Sequence, residues 1–235
     1  MDANIKVPEH VGIIMDGNRR WAKERNLIPQ LGHKEGADNL ERIAEVCEEI
    51  GIKYLTVFAF STENWKRSKD EVDYLMNLFS SSIKKFKSRS NEKNYRIQLT
   101  GDINGLNKNL QKEILEVEEE TKNNKGLTIN FAINYGGRAE ILIATKNIAK
   151  DYNKGKINLE DINEELFNNY VQTKNSPDPD LIIRTGGEQR LSGFLIWQSA
   201  YSEFYFTNVY WPDFDKKELE KAVKEYSNRK RNFGK

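Results

Sequence analysis

His10-Val11-Gly12-Ile13-Ile14-Met15-Asp16-Gly17-Asn18-Arg19-Arg20-Trp21 is a β-rich apolar run broken by a carboxylate, a glycine and two arginines. Val11 to Met15 reads as a strand, and the same grammar recurs along the chain. Tyr54 to Phe60, Tyr95 to Leu99, Leu127 to Ile133 and Leu181 to Ile183 are further short apolar runs of strand length, as expected of strands buried on both faces. Segments of helical period lie between them. Leu40, Ile43, Ala44, Cys47 and Ile50 share one helix face, which Gly51 ends. Ser68 and Glu71 form a capping box ahead of a stripe of Val72, Leu75, Met76, Phe79, Ile83 and Phe86. Leu110, Ile114 and Val117 mark another helix, closed by Asn123-Asn124-Lys125-Gly126. Strand and helix in alternation predict an α/β fold: a mainly parallel central sheet of about six strands, joined by right-handed crossovers and flanked by helices. Tyr152 to Asn175 is the least patterned stretch. Ser176-Pro177-Asp178-Pro179-Asp180 reads as a turn whose carboxylates face solvent.

The 235 residues suffice for one core, so a single domain over 1–235 is expected. Lys and Arg number 37 against 36 Asp and Glu, which leaves no global field to attract nucleic acid. Cys47 is the only cysteine; it falls on an apolar helix stripe, and its solitude excludes disulfide frameworks and thiolate zinc sites. With only His10 and His33 as imidazoles, any metal is expected to be a hard cation on carboxylate and phosphate oxygens. There is no apolar leader, and no run approaches the roughly 18 residues that span a bilayer. The chain therefore reads as soluble and cytoplasmic.

In open α/β sheets, ligands sit beyond the carboxyl ends of the strands. The segments at those ends are Asp16-Gly17-Asn18-Arg19-Arg20-Trp21, Ser61-Thr62-Glu63-Asn64-Trp65-Lys66-Arg67, Asn134-Tyr135-Gly136-Gly137-Arg138 and Arg184-Thr185-Gly186-Gly187-Glu188-Gln189-Arg190. Gly17 permits a sharp turn and close backbone approach, and a helix beginning near Arg19 would aim its positive end at the same point: an anion site. Asp16, expected on an exposed loop, would repel a bare phosphate, so its presence there suggests a bridging Mg²⁺. Arg184, Arg190 and Ser192 form a second candidate anion site. Plainer readings stand beside these. Gly17 and Gly186-Gly187 can be tight turns, Asp16 a helix cap, His33 a structural histidine, and Trp21 and Trp65 core. Convergence of four loops on one chemistry favours the functional reading.

Several blocks of the chain resemble the cis-prenyltransferases, the bacterial undecaprenyl diphosphate synthases most of all. They are His10 to Trp21, Gly32-His33-Lys34, Phe60-Ser61-Thr62-Glu63-Asn64-Trp65, Asn134 to Arg138, and Arg184 to Glu188 through Trp211-Pro212-Asp213-Phe214. The resemblance covers nearly the whole chain. It implies a homodimeric, Mg²⁺-dependent transferase that condenses isopentenyl diphosphate with an allylic diphosphate, typically farnesyl diphosphate. The product would be a cis-polyprenyl diphosphate such as undecaprenyl diphosphate, the lipid carrier precursor for cell-wall synthesis. Carried over by position, Asp16 engages Mg²⁺ and the allylic diphosphate, with Gly17, Asn18, Arg19, Arg20, Trp21 and His33 lining that site. Ser61, Thr62 and Glu63 lie against substrate, with Asn64, Trp65 and Arg67 close by and Asn64 at the proton-transfer position. Arg184 and the Arg190-Leu191-Ser192 segment go to isopentenyl diphosphate, and Glu203 to Mg²⁺. The resemblance also implies an apolar tunnel, for which Ala59, Met76, Phe79, Ile83, Phe86 and Leu127 are candidate walls or, equally, plain core. A peripheral contact with membrane for product release is part of the same expectation.

Three positions depart from the family pattern. Pro29 and Asn232 stand where relatives often carry arginine, and Gln189 where they often carry histidine. They keep open a short-chain or atypical cis-prenyl diphosphate synthase. The charge absent at Pro29 is either missing altogether, which would weaken binding of the allylic substrate, or supplied by a neighbour such as Arg25 or Lys34. A non-catalytic lipid-diphosphate-binding subunit is disfavoured, because Asp16, Arg20, Asn64, Arg184, Arg190 and Glu203 are all retained.

Overall fold

A computed structural model describes residues 5–229. Its sheet has six strands: β1 (His10–Ile14), β2 (Tyr54–Ser61), β3 (Arg96–Thr100), β4 (Thr128–Tyr135), β5 (Leu181–Arg184) and β6 (Glu203–Phe206). Their order is β3-β4-β2-β1-β5-β6, and every neighbouring pair is parallel. The helices are α1 (Asn18–Glu24), α2 (Pro29–Ile50), α3 (Lys69–Lys93), α4 (Lys108–Thr121), α5 (Gly137–Asn153), α6 (Glu164–Asn168) and α7 (Lys216–Asn228). Five of the six strands lie where the sequence places them, within a residue or two. The sixth, β6, was not foreseen: it is a four-residue edge strand, too short to carry a period.

Every residue of β1, β4 and β5 is buried, because helices and loops cover both faces of the sheet. Val11, Ile13, Leu55, Val57, Ile129 and Phe131 join the larger core with the predicted stripes of α2, α3 and α4. Ile14, Ala132 and Ile182 point to the other face, where Phe194 and Leu195 pack. Gly51 ends α2 in the left-handed conformation (φ 97°), and the Ser68 hydroxyl accepts from the Glu71 N–H at the start of α3, both as the sequence indicates. The Asp180 carboxylate does not merely face water. Its Oδ2 accepts from the N–H groups of Glu9 (2.8 Å) and His10 (3.3 Å), satisfying donors at the entry to β1.

The chain passes from β1 to β2 on one side, and later to β5 on the other. β1 therefore sits at the switch point of the sheet, where a crevice opens beyond the carboxyl ends of the strands. Ile14 lies beside Arg184 in the ladder, which brings the loops after β1 and β5 together. Register shifts between Phe58 and Ser61 break the β2–β4 ladder, and the irregularity re-aims Ala59 and Ser61 toward that crevice.

Candidate active site

Two cavities of about 750 and 720 Å³ meet at Met15, Asp16, Asn18, His33 and Arg67. The second is walled by α1 and the turn into α2, with Arg19, Arg20, Lys23 and Pro29 around it. The first runs under the 61–64 segment to Arg184, Ser192 and the N-terminus of α5 at Gly137, Arg138 and Ala139. A third, of about 90 Å³, is mainly apolar. It adjoins both at Met15, Asn18 and His33 and runs between α2 and α3 past Leu40, Leu75, Met76 and Phe79.

Asp16 is held more tightly than a carboxylate on an exposed loop. Its Oδ1 accepts from the Gly17 N–H (2.7 Å) and lies 3.2 Å from Arg20 Nη2, while Oδ2 accepts from Arg184 Nη2 at 3.0 Å. Arg184 is only 5 % exposed. Its Nη1 donates to Ser192 Oγ (2.8 Å) and to the Arg190 carbonyl, and its Nε is buried without a partner. The repulsion anticipated between Asp16 and phosphate is thus cancelled by two guanidiniums. Nor does Asp16 cap α1, since Gly17 is the N-cap and no side chain bonds there. Gly17 itself is required: its φ is 107°, and a Cβ would lie 2.7 Å from the Tyr210 ring.

Gly186 and Gly187 satisfy the turn reading. Both have positive φ, and their N–H groups donate to the carbonyls of Val209 and Thr207 at 2.8 Å, so neither offers an amide to an anion. Arg20 Nη1 donates to the Gly186 carbonyl at 2.6 Å, which ties α1 to this turn.

Glu71 on α3 draws together residues from three other segments. Its Oε1 accepts from Arg67 (2.8 Å) and lies 3.6 Å from His33 Nε2; its Oε2 lies 3.8 Å from Arg19. Burial, helped by the charge of Arg67, pushes the His33 imidazole down to about 4, so it is neutral at pH 7. Its Nε2 is buried and without a hydrogen-bond partner.

Asn64 Oδ1 accepts from the Ser61 N–H at 3.0 Å, closing a capping box on the 62–66 turn. That bond fixes which end of the amide is oxygen. The Asn64 NH₂ group is left as the donor, and a neutral amide has negligible basicity, so Asn64 is a hydrogen-bond donor here rather than a base.

Not every expected residue reaches the cavities. Trp21 donates from Nε1 to Asp213 at 2.7 Å, and Trp65 donates to Asn134 at 2.7 Å while remaining 42 % exposed; neither is core, and neither lines a cavity. Arg190 is 62 % exposed and paired with Glu188, and Leu191 packs against the smaller core. Glu203 begins β6 beside Leu181, at the opposite end of the sheet from Asp16, and its carboxylate pairs with Arg229 at 2.8 Å. Three residues of strand, roughly 10 Å, separate its row from that of Arg184, so within one chain it does not join Asp16 on a metal. Arg25 stacks 4.4 Å over the Trp21 ring and pairs with Asp213; Lys23, not Arg25 or Lys34, is the lysine that lines the cavity at Pro29. Ile83, Phe86 and Leu127 are core, whereas Ala59, Met76 and Phe79 line the apolar cavity. Asn232 lies outside the described residues.

Sequence reading assigned no roles to Lys23, Arg138, Gly193 or Ile196, all of which line the cavities. Gly136-Gly137 between β4 and α5 repeats the strand–glycine–helix grammar of Asp16-Gly17 and was the signal for Arg138.

No described group of three or more His, Cys, Asp or Glu side chains is placed to hold a metal. The cavities instead offer single hard oxygens: Asp16, and the buried Asn18 Oδ1, which has no hydrogen-bond partner. That donor set suits a cation whose remaining ligands are substrate phosphate oxygens and water.

Comparison with known proteins agrees with this geometry. The family model for undecaprenyl diphosphate synthase prenyltransferases matches residues 14–234. An isoprenyl transferase of Clostridium tetani is 50 % identical over 228 residues, covering 97 % of this chain and 89 % of that protein. A (2E,6E)-farnesyl-diphosphate-specific ditrans,polycis-undecaprenyl-diphosphate synthase of Micrococcus luteus is 48 % identical, covering 97 % and 92 %. Among solved structures, lavandulyl diphosphate synthase from Lavandula x intermedia, in complex with dimethylallyl diphosphate, superposes with a TM-score of 0.95 at 38 % identity, covering 97 % of this chain and 99 % of that one. A probable undecaprenyl diphosphate synthase from Campylobacter jejuni does so at 0.81 and 35 %, covering 98 % and 100 %. With the family model spanning all but the first residues and the last, this chain belongs to the cis-prenyltransferases of the undecaprenyl diphosphate synthase family.

Proposed function

We propose that the chain condenses isopentenyl diphosphate with an allylic diphosphate, farnesyl diphosphate in the first instance, to give a cis-polyprenyl diphosphate. The observation that carries this is the meeting of two cation-lined cavities at Asp16, Asn18, His33 and Arg67, beside an apolar cavity. The cavity of Arg19, Arg20, Lys23 and Arg67 suits the allylic diphosphate; that of Arg184, Ser192, Arg138 and the α5 N-terminus suits the isopentenyl diphosphate. The reacting carbons then meet at the junction. The allylic C1–O bond breaks as the isopentenyl double bond attacks C1, and a proton leaves C2 of the isopentenyl unit. Guanidiniums aimed at the departing diphosphate stabilise charge that grows in the transition state. Asn64 orients through its NH₂, neutral His33 offers its free ring nitrogen at the junction, and the departing diphosphate takes the proton. Asp16 and Asn18 would hold a Mg²⁺ bound to diphosphate, which would add Lewis-acid stabilisation of the leaving group.

The apolar cavity, with room for only a few methylene groups, lends weight to a second reading, a short-chain or atypical synthase. Purified protein incubated with farnesyl diphosphate, labelled isopentenyl diphosphate and Mg²⁺, followed by product sizing, decides between them. A long cis-polyprenyl product requires α2 and α3 to part; a one- or two-unit product selects the second reading; no product refutes both. One domain, with all six strands in one sheet, carries the whole reaction in this reading. We place it in the cytoplasm, consistent with a buried, unpaired Cys47. As a homodimer it would cover the exposed Leu142 and Ile196, which sedimentation velocity checks.

A further inference from the structure

Asn134, next to last in β4, lines none of the three cavities, yet its buried side chain is held on every side. Its backbone is left-handed (φ 47°), a conformation that asparagine tolerates better than most residues but that a strand does not call for. Oδ1 accepts from the Trp65 indole N–H at 2.7 Å, and Nδ2 donates to the Asp102 carbonyl at 2.8 Å. An indole N–H only donates and a carbonyl only accepts, so the amide has a single orientation. A Cβ on Gly105 would lie 2.7 Å from Nδ2, so that glycine closes the amide in from a further side. Trp65 belongs to the 62–66 turn, whose Thr62, Glu63 and Asn64 line the 750 Å³ cavity with the flanking Ser61 and Arg67. Among the described residues, its indole N–H makes the one side-chain hydrogen bond that joins this turn to another segment, because the Asn64 bond to Ser61 stays within the turn and its cap. The Trp65 ring meets Phe60 edge-on at 5.2 Å and is still half-exposed, so its burial accounts for less of its placement than its inward N–H does.

We infer that Asn134 is a positioning residue for the transfer reaction, latching the 62–66 turn through Trp65 so that the Asn64 NH₂ group is held toward the cavity in which the substrates meet. A misplacement of about 1 Å at reacting groups costs up to about a hundredfold in rate, and a five-residue turn with one outward side-chain bond depends on that bond for its register. Thr62 seats the same turn from beside it, since a Cβ on Gly136 would stand 2.7 Å from its Oγ1. Asn134 and Gly136 thus make the end of β4 the platform on which the loop after β2 rests. The left-handed backbone at Asn134 is the local strain that aims its amide at Trp65. The inference rests on the proposed function for what the turn positions, whereas the latch itself is read without turnover.

The test is a double-mutant cycle of Asn134→Gly and Trp65→Phe in the full chain. Glycine adopts the left-handed backbone without the amide, and phenylalanine keeps a ring against Phe60 without the N–H. Each single variant is expected to lose about three- to tenfold in kcat, the equivalent of one net hydrogen bond, while KM for farnesyl diphosphate stays within about twofold of wild type. The double variant should be no slower than the slower single one, because the two residues act as one unit. Acrylamide quenching of Trp65 gives a readout without substrate, taken as wild type minus Trp65→Phe and as Asn134→Gly minus the double variant. It should rise about twofold when Asn134 is lost and the turn opens more often. Kinetic losses that multiply in the double variant overturn the inference, as does a lowered Tm with unchanged kcat, which assigns the bond to stability alone. Should Asn134→Gly fail to fold, unchanged kcat in Trp65→Phe overturns the inference equally. If the wild type makes no product, the proposed function falls, and Trp65 quenching that is the same with and without Asn134 then refutes the latch on its own.

Discussion

Replacing Asp16 with alanine is expected to cost stability as well as turnover, because Asp16 is the counter-charge of a buried arginine. Arg184 is 5 % exposed, and its one carboxylate contact is Asp16 at 3.0 Å. Removing one partner of a fully buried pair costs about 3–5 kcal/mol. Asp16 is a third exposed, and Arg184 keeps its bonds to Ser192 and the Arg190 carbonyl, so about 2 kcal/mol is the appropriate figure after solvent screening. For a chain of this length that lowers Tm by about 4–8 °C. Calorimetry of four proteins isolates the pair: wild type, Asp16→Ala, Arg184→Ala and the double variant. The double variant should be no less stable than Asp16→Ala alone, since it removes the stranded charge together with its partner. Inorganic diphosphate should raise the Tm of Asp16→Ala more than that of wild type by offering Arg184 a replacement anion. An Asp16→Ala protein melting within a degree of wild type, with additive single effects, would refute the pairing as a stabilising interaction. Steady-state kinetics complete the experiment, with kcat expected to fall far more than either KM rises.

Arg184→Ala should raise KM for isopentenyl diphosphate about ten- to a hundredfold, the equivalent of about 1.5–3 kcal/mol, whereas Arg190→Ala, outside the cavities, should change it less than about threefold; equal effects in a radiometric assay would show that Arg190 turns inward. Gly17→Ala should cost about 2 kcal/mol or more, because it combines positive φ with a 2.7 Å approach to Tyr210, and Tyr210→Ala should recover part of the lost Tm. Burial holds the His10 and His33 imidazoles at about 4 against 6.5 in the unfolded chain, so the unfolded state takes up protons first as the pH falls. Stability is therefore full above pH 6.5 and declines toward pH 4, by about 3 kcal/mol for His10 alone; a urea midpoint constant across that window contradicts the burial of both rings. Pro29→Arg should lower KM for the allylic substrate without altering that for isopentenyl diphosphate, since Pro29 lines the α1–α2 cavity; Pro29→Ala controls for the freed backbone, and identical kinetics for Arg and Ala would show that charge at this position is irrelevant.

The sheet was legible because five strands are apolar runs buried on both faces and the intervening helices carry stripes, caps and a terminal glycine. β6 was not, since Glu203-Phe204-Tyr205-Phe206 is short and lies at the sheet edge. That omission hid the position of Glu203: without knowing that the residue opens a parallel strand, nothing in the sequence assigns it to the amino end of the sheet, away from Asp16 of the same chain. The loops after β1, β2, β4 and β5 were legible as a group, because topology alone gathers the carboxyl ends of parallel strands. Which way a loop side chain turns was not. Trp21 and Arg25 are drawn off by Asp213, 192 and 188 residues away, and Arg190 by Glu188. The Asp213 contacts join distant partners that no local pattern records, whereas the Glu188 contact is local, two residues away.

The arrangement of charge at the junction has a consequence for the order of events. Glu188, Arg20, Asp16 and Arg184 alternate in sign, with separations of 3.9, 3.2 and 3.0 Å. A carboxylate has about four lone-pair positions, and Asp16 already faces the Gly17 N–H, Arg20 and Arg184. One position, on Oδ2, is left, whereas Oδ1 already faces two donors, so a diphosphate-bound cation held on Oδ1 would displace a guanidinium. Arg184 is the poorer candidate, buried and fixed by Ser192 and the Arg190 carbonyl. Arg20 is 42 % exposed and sits at the longer distance, so it is the group expected to swing onto an arriving diphosphate. Its departure frees Asp16 Oδ1 just as the negative charge that needs a counter-ion enters the cavity. The same exchange explains why a carboxylate is tolerated at the mouth of an anion site. In the free protein the carboxylate lies between the two arginines, and with a diphosphate-bound cation in place it would face that cation instead of a phosphate. Arg20→Lys tests this step, since an ammonium keeps the charge but loses the fork that bonds Gly186 and Asp16 together. Preserved kcat with a raised allylic KM fits the exchange, and unchanged kinetics excludes it.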